Sequence, residues 1–249
     1  LIISCKKKKE DPTPAGPTCS NLLTNDTITY SGSQTGTEYR KYIYNASKQL
    51  TKIEYTYSPS LVYSAFDTII YNGGKIDSVN TYNIGNSTPK ATNAYMYTSG
   101  ILTSVSETGS NSNGAFVRTR TYTYTSGKIS AMTVAYGATG SAGSGPENFN
   151  NIVFTNGNIS SADLGASFGG TATVVSDVTA PNPFLGLNND PTDIVAMFSA
   201  NNPTSAYSNL APGSPFFTRT YTYANGRVKT MTETGGSSTA AHVYTYTCL

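Results

Sequence analysis

The sequence predicts an all-β fold: an antiparallel meander of repeated hairpins, forming a curled sheet or open barrel, with one short helix near 190–200. Three observations carry this expectation. Tyrosine is the compositional outlier, with 19 copies in 249 residues and no Trp. With abundant Thr it favours pleated, half-buried surface. A unit of alternating aromatic residues followed by a glycine turn recurs along the chain. Gly, Asn and Ser cluster between the alternating segments, where turns need them.

The unit reads Ile69-Ile70-Tyr71-Asn72-Gly73-Gly74-Lys75-Ile76, and returns as Tyr95 to Leu102, Tyr122 to Ile129, Ile152 to Ile159 and Tyr221 to Val228. A looser copy without Gly runs from Tyr42 to Leu50. Alternation puts the first and third residues on one strand face. Asn-Gly, Ser-Gly or Gly-Gly then makes a two-residue type I′ turn, which needs positive φ at both central positions. That register sets Tyr71 opposite Ile76, Tyr97 opposite Leu102, Tyr124 opposite Ile129, Phe154 opposite Ile159 and Tyr223 opposite Val228. Each aromatic–aliphatic pair contributes roughly 0.2–1 kcal/mol. Gly74, Gly100 and Gly127 are spaced by 26 and 27 residues, and Gly157 follows 30 later. Tight turns should therefore gather at one end. Polar return loops such as Gly109 to Gly114 and Gly137 to Gly145 should gather at the other.

The stretch from Thr179 to Pro215 breaks the rhythm. In it Asp190 suits a helix cap, Pro191 the first helical position and Asp193 the first turn. Ile194, Val195, Met197 and Phe198 supply an apolar face, and Asn201-Asn202-Pro203 ends the helix. Such a helix is expected to cover the open mouth or concave face of the sheet.

The N-terminus carries an address. Leu1-Ile2-Ile3-Ser4 before Cys5 has the form of the end of a lipoprotein signal: an apolar stretch, a small residue, then the Cys that takes the lipid. Residues 1–4 are read as a signal remnant and 5–18 as a lipid-anchored flexible linker. The linker is rich in Lys and Pro and unable to bury itself. Residues 19–249 are read as a single hairpin-repeat domain. Once Cys5 is lipidated, Cys19 and Cys248 remain, and an oxidising compartment permits a disulfide between them. Closing a loop of about 230 residues stabilises by roughly 5 kcal/mol in the chain-entropy account.

Several chemistries find little support. The formal net charge is +2 and only 12% of residues are charged, which argues against a nucleic-acid partner. No stretch of about twenty apolar residues exists to span a membrane as a helix. A barrel crossing lipid needs outward apolar bands, whereas the candidate strands place Thr, Ser and Lys on one face. His242 is the only His and sits in a strand-like run without a local nucleophile, so no catalytic residue is assigned. Cys and His are too few for a Cys/His metal site, and no cofactor motif occurs. Glu107 and Glu233 hold equivalent repeat positions, which suggests a structural, outward-facing role.

The Tyr-x-Tyr-x-x-Gly-Lys/Arg-Ile/Val unit is similar to the YD-type repeats of large bacterial surface proteins, with Thr125 and Ala224 standing where those repeats carry Asp. The lipidation motif at Cys5, Asn182-Pro183-Phe184, Ser199-Ala200-Asn201-Asn202 and the final Tyr221 hairpin together resemble a family of Bacteroidota-type cell-envelope lipoproteins. The resemblance implies a porin-like curled sheet and an outer-membrane lipoprotein on the periplasmic or cell-surface side. It implies no activity. The expected function is a non-enzymatic, lipid-anchored binding module for glycan, peptide or protein. A purely structural accessory lipoprotein and a carboxylate-based hydrolase are the alternatives. Tyr63, Tyr82, Tyr136 and Tyr207, in return loops or at strand ends, are the candidate ligand contacts.

Overall fold

The computed structural model describes residues 22–58, 65–111, 114–137, 148–164, 170–182, 197–211 and 213–247. These form sixteen strands: β1 (Leu23–Gly32), β2 (Gly36–Tyr44), β3 (Leu50–Ser58), β4 (Ala65–Asn72), β5 (Lys75–Asn83), β6 (Ala91–Thr98), β7 (Ile101–Asn111) and β8 (Gly114–Thr125). The second half comprises β9 (Lys128–Tyr136), β10 (Asn148–Thr155), β11 (Asn158–Leu164), β12 (Thr171–Pro181), β13 (Asn201–Ser208), β14 (Pro215–Ala224), β15 (Arg227–Gly235) and β16 (Ser238–Tyr246). Every strand pairs antiparallel with its neighbours in sequence, and β1 pairs with β16 from Leu23–Tyr246 to Gly32–Ser238. The sheet is therefore a closed barrel, which corrects the expected curled sheet or open barrel. Closure removes both edges, each of which would leave a row of unpaired backbone groups.

The hairpin register is as the turn chemistry dictates. Tyr71 pairs with Ile76, Tyr97 with Leu102, Tyr124 with Ile129, Phe154 with Ile159 and Tyr223 with Val228. Both central turn residues have positive φ, as at Ser126 (52°) with Gly127 (77°) and Asn225 (52°) with Gly226 (72°). The stretch from Gly109 to Gly114, expected as a return loop, is mostly strand: β7 and β8 stay paired out to Asn111–Gly114.

One regularity was not anticipated. In each hairpin the strand after the turn carries an extra residue: Thr51, Asp77, Thr103, Ser130, Ser160 and Lys229 oppose no partner, because the register slips there by one. In four copies the hydroxyl of this bulged residue donates to a carbonyl on the facing strand: Thr51 to Ile43, Thr103 to Met96, Ser130 to Thr123 and Ser160 to Val153, at 3.1–3.3 Å. A bulge bends the strand and shifts the phase of alternation. Buried residues after the turn therefore stand three apart: Leu50 and Ile53, Ile76 and Val79, Leu102 and Val105, Ile129 and Met132, Ile159 and Ala162, Val228 and Met231.

These residues, with Tyr42, Tyr95, Tyr122 and Tyr244, form one core inside the tight-turn half of the barrel. Nearer the turns stands an aromatic ring of Tyr44, Tyr71, Tyr97, Tyr124, Phe154, Tyr223 and Tyr246, packed against that core. The Lys or Arg after the turn leans over the aromatic of the next hairpin: Lys75 lies 5.2 Å from the Tyr97 ring, Lys128 5.4 Å from Phe154 and Arg227 5.5 Å from Tyr246. Each such contact contributes about 0.5–1 kcal/mol at an exposed site.

The expected helix near 190–200 falls largely on 183–196, outside the described residues, and no helix of a full turn is found among the described ones; only Met197 and Phe198 have helical conformation. Asn201-Asn202-Pro203, expected to end the helix, instead begins β13. The residues before it turn into the barrel. The Phe198 ring lies 6.0 Å from Tyr122 and 6.5 Å from Tyr124 on β8, four strands from β12. Asn and Ser side chains hold the segment in place. Ile159 N donates to Ser199 Oγ at 3.1 Å, Asn201 N donates to Asn158 Oδ1 at 2.7 Å, and Asn182 Nδ2 donates to the Ser199 carbonyl at 3.1 Å. Buried polar groups satisfied in this way fix the segment at little cost.

Candidate functional site

The interior changes character along its axis. On β2, inward positions run from Tyr44 and Tyr42 near the turn to Arg40 and Glu38 nearer the loops, and on β8 from Tyr124 and Tyr122 to Arg120 and Arg118. A belt of charge thus sits above the apolar half. Arg40 Nε donates to Glu38 Oε1 at 2.6 Å, and the Tyr30 hydroxyl donates to Glu38 Oε2 at 2.8 Å. Arg219 Nε donates to Glu233 at 2.6 Å. Asp67 accepts from the Tyr55 hydroxyl and from Thr81 Oγ1, both at 2.7 Å. His242 Nδ1 lies 3.0 Å from Asp26 Oδ2, and its ring stacks on Tyr244 at 5.8 Å. Arg118 makes two bonds to Glu107 Oε2, at 2.6 and 3.0 Å, and Arg120 Nη1 reaches the same oxygen at 3.2 Å. Asp26 is 1% exposed, Arg120 2% and Glu38 4%.

The tyrosines respond to this burial. Desolvation pushes the Tyr44, Tyr221 and Tyr246 hydroxyls up to about 12. Tyr30 and Tyr55 go higher still, desolvation first and the carboxylates of Glu38 and Asp67 adding to it.

Glu107 and Glu233 occupy equivalent positions, as the repeat implies, but they face inward rather than outward. Thr103 and Lys229 are bulged, so strict alternation counted from Leu102 and Val228 assigns the wrong face. The spacing of three between Leu102 and Val105, and between Val228 and Met231, is the sequence signal for that shift.

The sequence-derived candidates do not converge. Tyr82 lies on β5 and stacks on Phe66 at 4.9 Å; Phe66 also carries Lys52 Nζ 4.6 Å above its ring. Tyr136 ends β9 opposite Arg118, half-buried against the core. Tyr207 lies on β13 opposite Thr173 and Pro215. Three strands lie between each of these tyrosines and the next. Tyr63, Cys5, Cys19 and Cys248 fall outside the described residues. Of the three described tyrosines, only Tyr136 is placed beside the charged belt.

Asp26 and His242 reproduce the orienting acid and base of a nucleophilic triad, but among the described residues no hydroxyl or thiol bonds to His242. Also among the described residues, no group of three His, Cys, Asp or Glu stands close enough to hold a metal ion.

No family model matches the chain, and no curated protein does. Among solved structures, the chain is similar to a porin-like protein from Bacteroides uniformis ATCC 8492, with a TM-score of 0.58 and 15% identity over 92% of this chain and 98% of that one. A porin-like protein from Bacteroides vulgatus ATCC 8482 aligns at a TM-score of 0.43 and 10% identity, over 92% of this chain and all of the other. The first likeness establishes the fold: this chain is an antiparallel β-barrel of the porin-like kind.

Proposed function

We propose that the chain is a non-enzymatic cell-envelope barrel, tethered through a lipid on Cys5, whose loop-side interior binds a polar ligand: a glycan, a peptide or a protein segment. The observation that carries this reading is the charged belt. Replacing a buried ion pair with apolar residues of similar size is often neutral or stabilising. Arg120, Glu38 and Asp26 are therefore a poor way to stabilise an interior whose other half is filled with Ile, Val, Leu and Tyr. Placed towards the loop-side mouth, with Tyr30, Tyr55, Tyr57 and Tyr136 along the same half, they offer hydrogen-bonding groups and flat aromatic faces above an apolar floor.

The outer wall supports a barrel bathed in water. Thr119, Thr121, Thr123 and Thr125 line one face of β8, and Thr218, Thr220 and Thr222 on β14 pair with Thr234, Thr232 and Thr230 on β15. Lys41, Lys52 and Glu54 form an ion-pair cluster on the outside of β2 and β3. A lipid-spanning barrel carries an outward apolar band about 25 Å tall, and this wall is a threonine lattice instead. The address that fits is an outer-membrane lipoprotein, on the periplasmic or surface side.

A structural accessory role is the second reading, favoured by the way the belt's charges satisfy one another. The two separate in a binding screen of the full chain against glycan and peptide arrays. The binding reading expects a ligand whose retention is lost in Arg118→Ala and Tyr136→Ala and kept in Thr121→Ala on the outer wall. Retention unaffected by the two interior changes, or none in any class, leaves the structural role.

A further inference from the structure

We infer that the tight-turn end of the barrel is a docking face for an anionic lipid surface. Its charge is lopsided. Among the described residues, Lys48, Lys75, Lys128, Arg227 and Lys229 lie in or just after the tight turns, where Asp77 is the acid; Asp177, on β12 at the same end, is held by the Tyr223 hydroxyl. The described loop residues of the opposite end carry one cation, Lys90, and the arginines of the belt behind them, Arg40, Arg118, Arg120 and Arg219, are paired with Glu38, Glu107 and Glu233. The ring is also held in place: Lys75 Nζ donates to the Gly100 carbonyl at 3.0 Å, and Lys75, Lys128 and Arg227 rest on the aromatics of the next hairpins.

A second feature surrounds this ring. Ile70, Met96 and Val153 point outward one residue before the inward aromatic of their strands, and Ile101 follows the Ser99-Gly100 turn; all four are exposed. The collar is one residue deep, far short of a spanning band, and suits the boundary between headgroups and acyl chains. Basic groups above a shallow apolar collar are the chemistry that holds a protein at an anionic interface. The chain's course agrees. Leu23 and Tyr246 pair at this end, so the segment carrying Lys6 to Lys9 joins the barrel on the face that bears the ring. Bound in this way, the barrel stands with its loop-side mouth away from the membrane.

The inference does not rest on acylation or on a ligand inside the barrel, and Cys5→Ser in the full chain removes the lipid from the test. Co-sedimentation at low salt with vesicles of 70% phosphatidylcholine and 30% phosphatidylglycerol is compared with pure phosphatidylcholine. The expected result is binding to the anionic vesicles alone. It should be weakened about fivefold for each charge removed in Lys48→Gln and Lys229→Gln, unchanged in Lys90→Gln, and lost near 1 M salt. With Lys6 to Lys9 all changed to Gln, the ring variants should still weaken what binding remains. Equal binding to neutral vesicles overturns the inference, as does indifference to the ring variants, which assigns the attraction to Lys6–Lys9. Capture of heparin or RNA without vesicle binding also overturns it and points to a soluble polyanion.

Discussion

Deleting Ser130 and deleting Thr133 remove one residue each from β9, yet the bulge makes their consequences unequal. Ile129 and Met132 both face inward although they stand three positions apart, because Ser130 and Ala131 together span one step of β8. Without Ser130, plain alternation still places Ile129, Met132 and Val134 inside and keeps the Tyr124–Ile129, Tyr122–Met132 and Thr121–Thr133 pairs. On its other side β9 meets β10 at Met132–Phe149 and Thr133–Asn148, past the deletion. The loss is then the bond from Ser130 Oγ to the Thr123 carbonyl at 3.3 Å, about 1 kcal/mol, with the local bend. Deleting Thr133 has no bulge to absorb it. Val134, now buried, turns outward, and Tyr136 leaves its place opposite Arg118. Each lost burial costs about 1.5–3 kcal/mol, so the sum is roughly 4 kcal/mol. Urea unfolding followed by far-ultraviolet circular dichroism measures both. Equal destabilisation, or a greater cost for Ser130, would refute the account of the repeat.

Three further outcomes are expected. Tyr44, Tyr221 and Tyr246, pushed up to about 12 by burial, favour the neutral hydroxyl in the fold. Their contribution to stability is complete below the ordinary tyrosine value near 10 and is lost as pH rises towards about 12. Absorbance at ~295 nm should therefore show a late, cooperative tyrosinate step coincident with unfolding; smooth titration of all 19 tyrosines in a folded protein would contradict it. Glu107→Gln strands the buried Arg120 guanidinium and lowers stability by about 3–5 kcal/mol, whereas Arg120→Met, which leaves the Arg118–Glu107 pair, is near neutral in the same urea assay. Thr247 N donates to the Leu22 carbonyl at 3.3 Å, extending the β1–β16 ladder towards Cys19 and Cys248. Thiol labelling before and after reduction should expose both, with Cys248→Ser losing up to about 5 kcal/mol.

The hairpins were legible because their information is local. A Ser-Gly pair fixes the turn, the turn fixes Tyr124 against Ile129, and no distant residue is needed. Closure was not legible, since it depends on β1 meeting β16 across more than two hundred residues, and neither strand carries the Tyr-x-Tyr-Gly mark at a shared turn. β12 and β13 were hidden for a related reason. Their connection is long and Asn-rich, and Asn201-Asn202-Pro203 looks like the end of a helix, yet tertiary pairing with Ser176 and Asp177 draws it into the sheet. Glu107 and Glu233, expected to face outward, stand one step of phase away from that; both were visible as residue types, and the bulges at Thr103 and Lys229 decided which face they took.

Sixteen strands close around more space than side chains alone readily fill, and barrels of this size usually keep water inside. This chain answers the geometry differently at its two ends. At the tight-turn end, paired aliphatics, a ring of tyrosines and the inturned Met197-Phe198 segment occupy the volume with apolar atoms, which is where burial stabilises most. Toward the loops the same strands carry Arg, Glu, Asp and His, where further apolar packing would have stabilised more. The bulge after each turn links the two. It advances the phase so that the strand leaving the Tyr97–Leu102 pair brings Val105 and then Glu107 to the inside, and the strand leaving the Tyr223–Val228 pair brings Met231 and then Glu233. In β7 and β15 the same step that spaces the apolar pair therefore also sets the acid of the polar half on the inside.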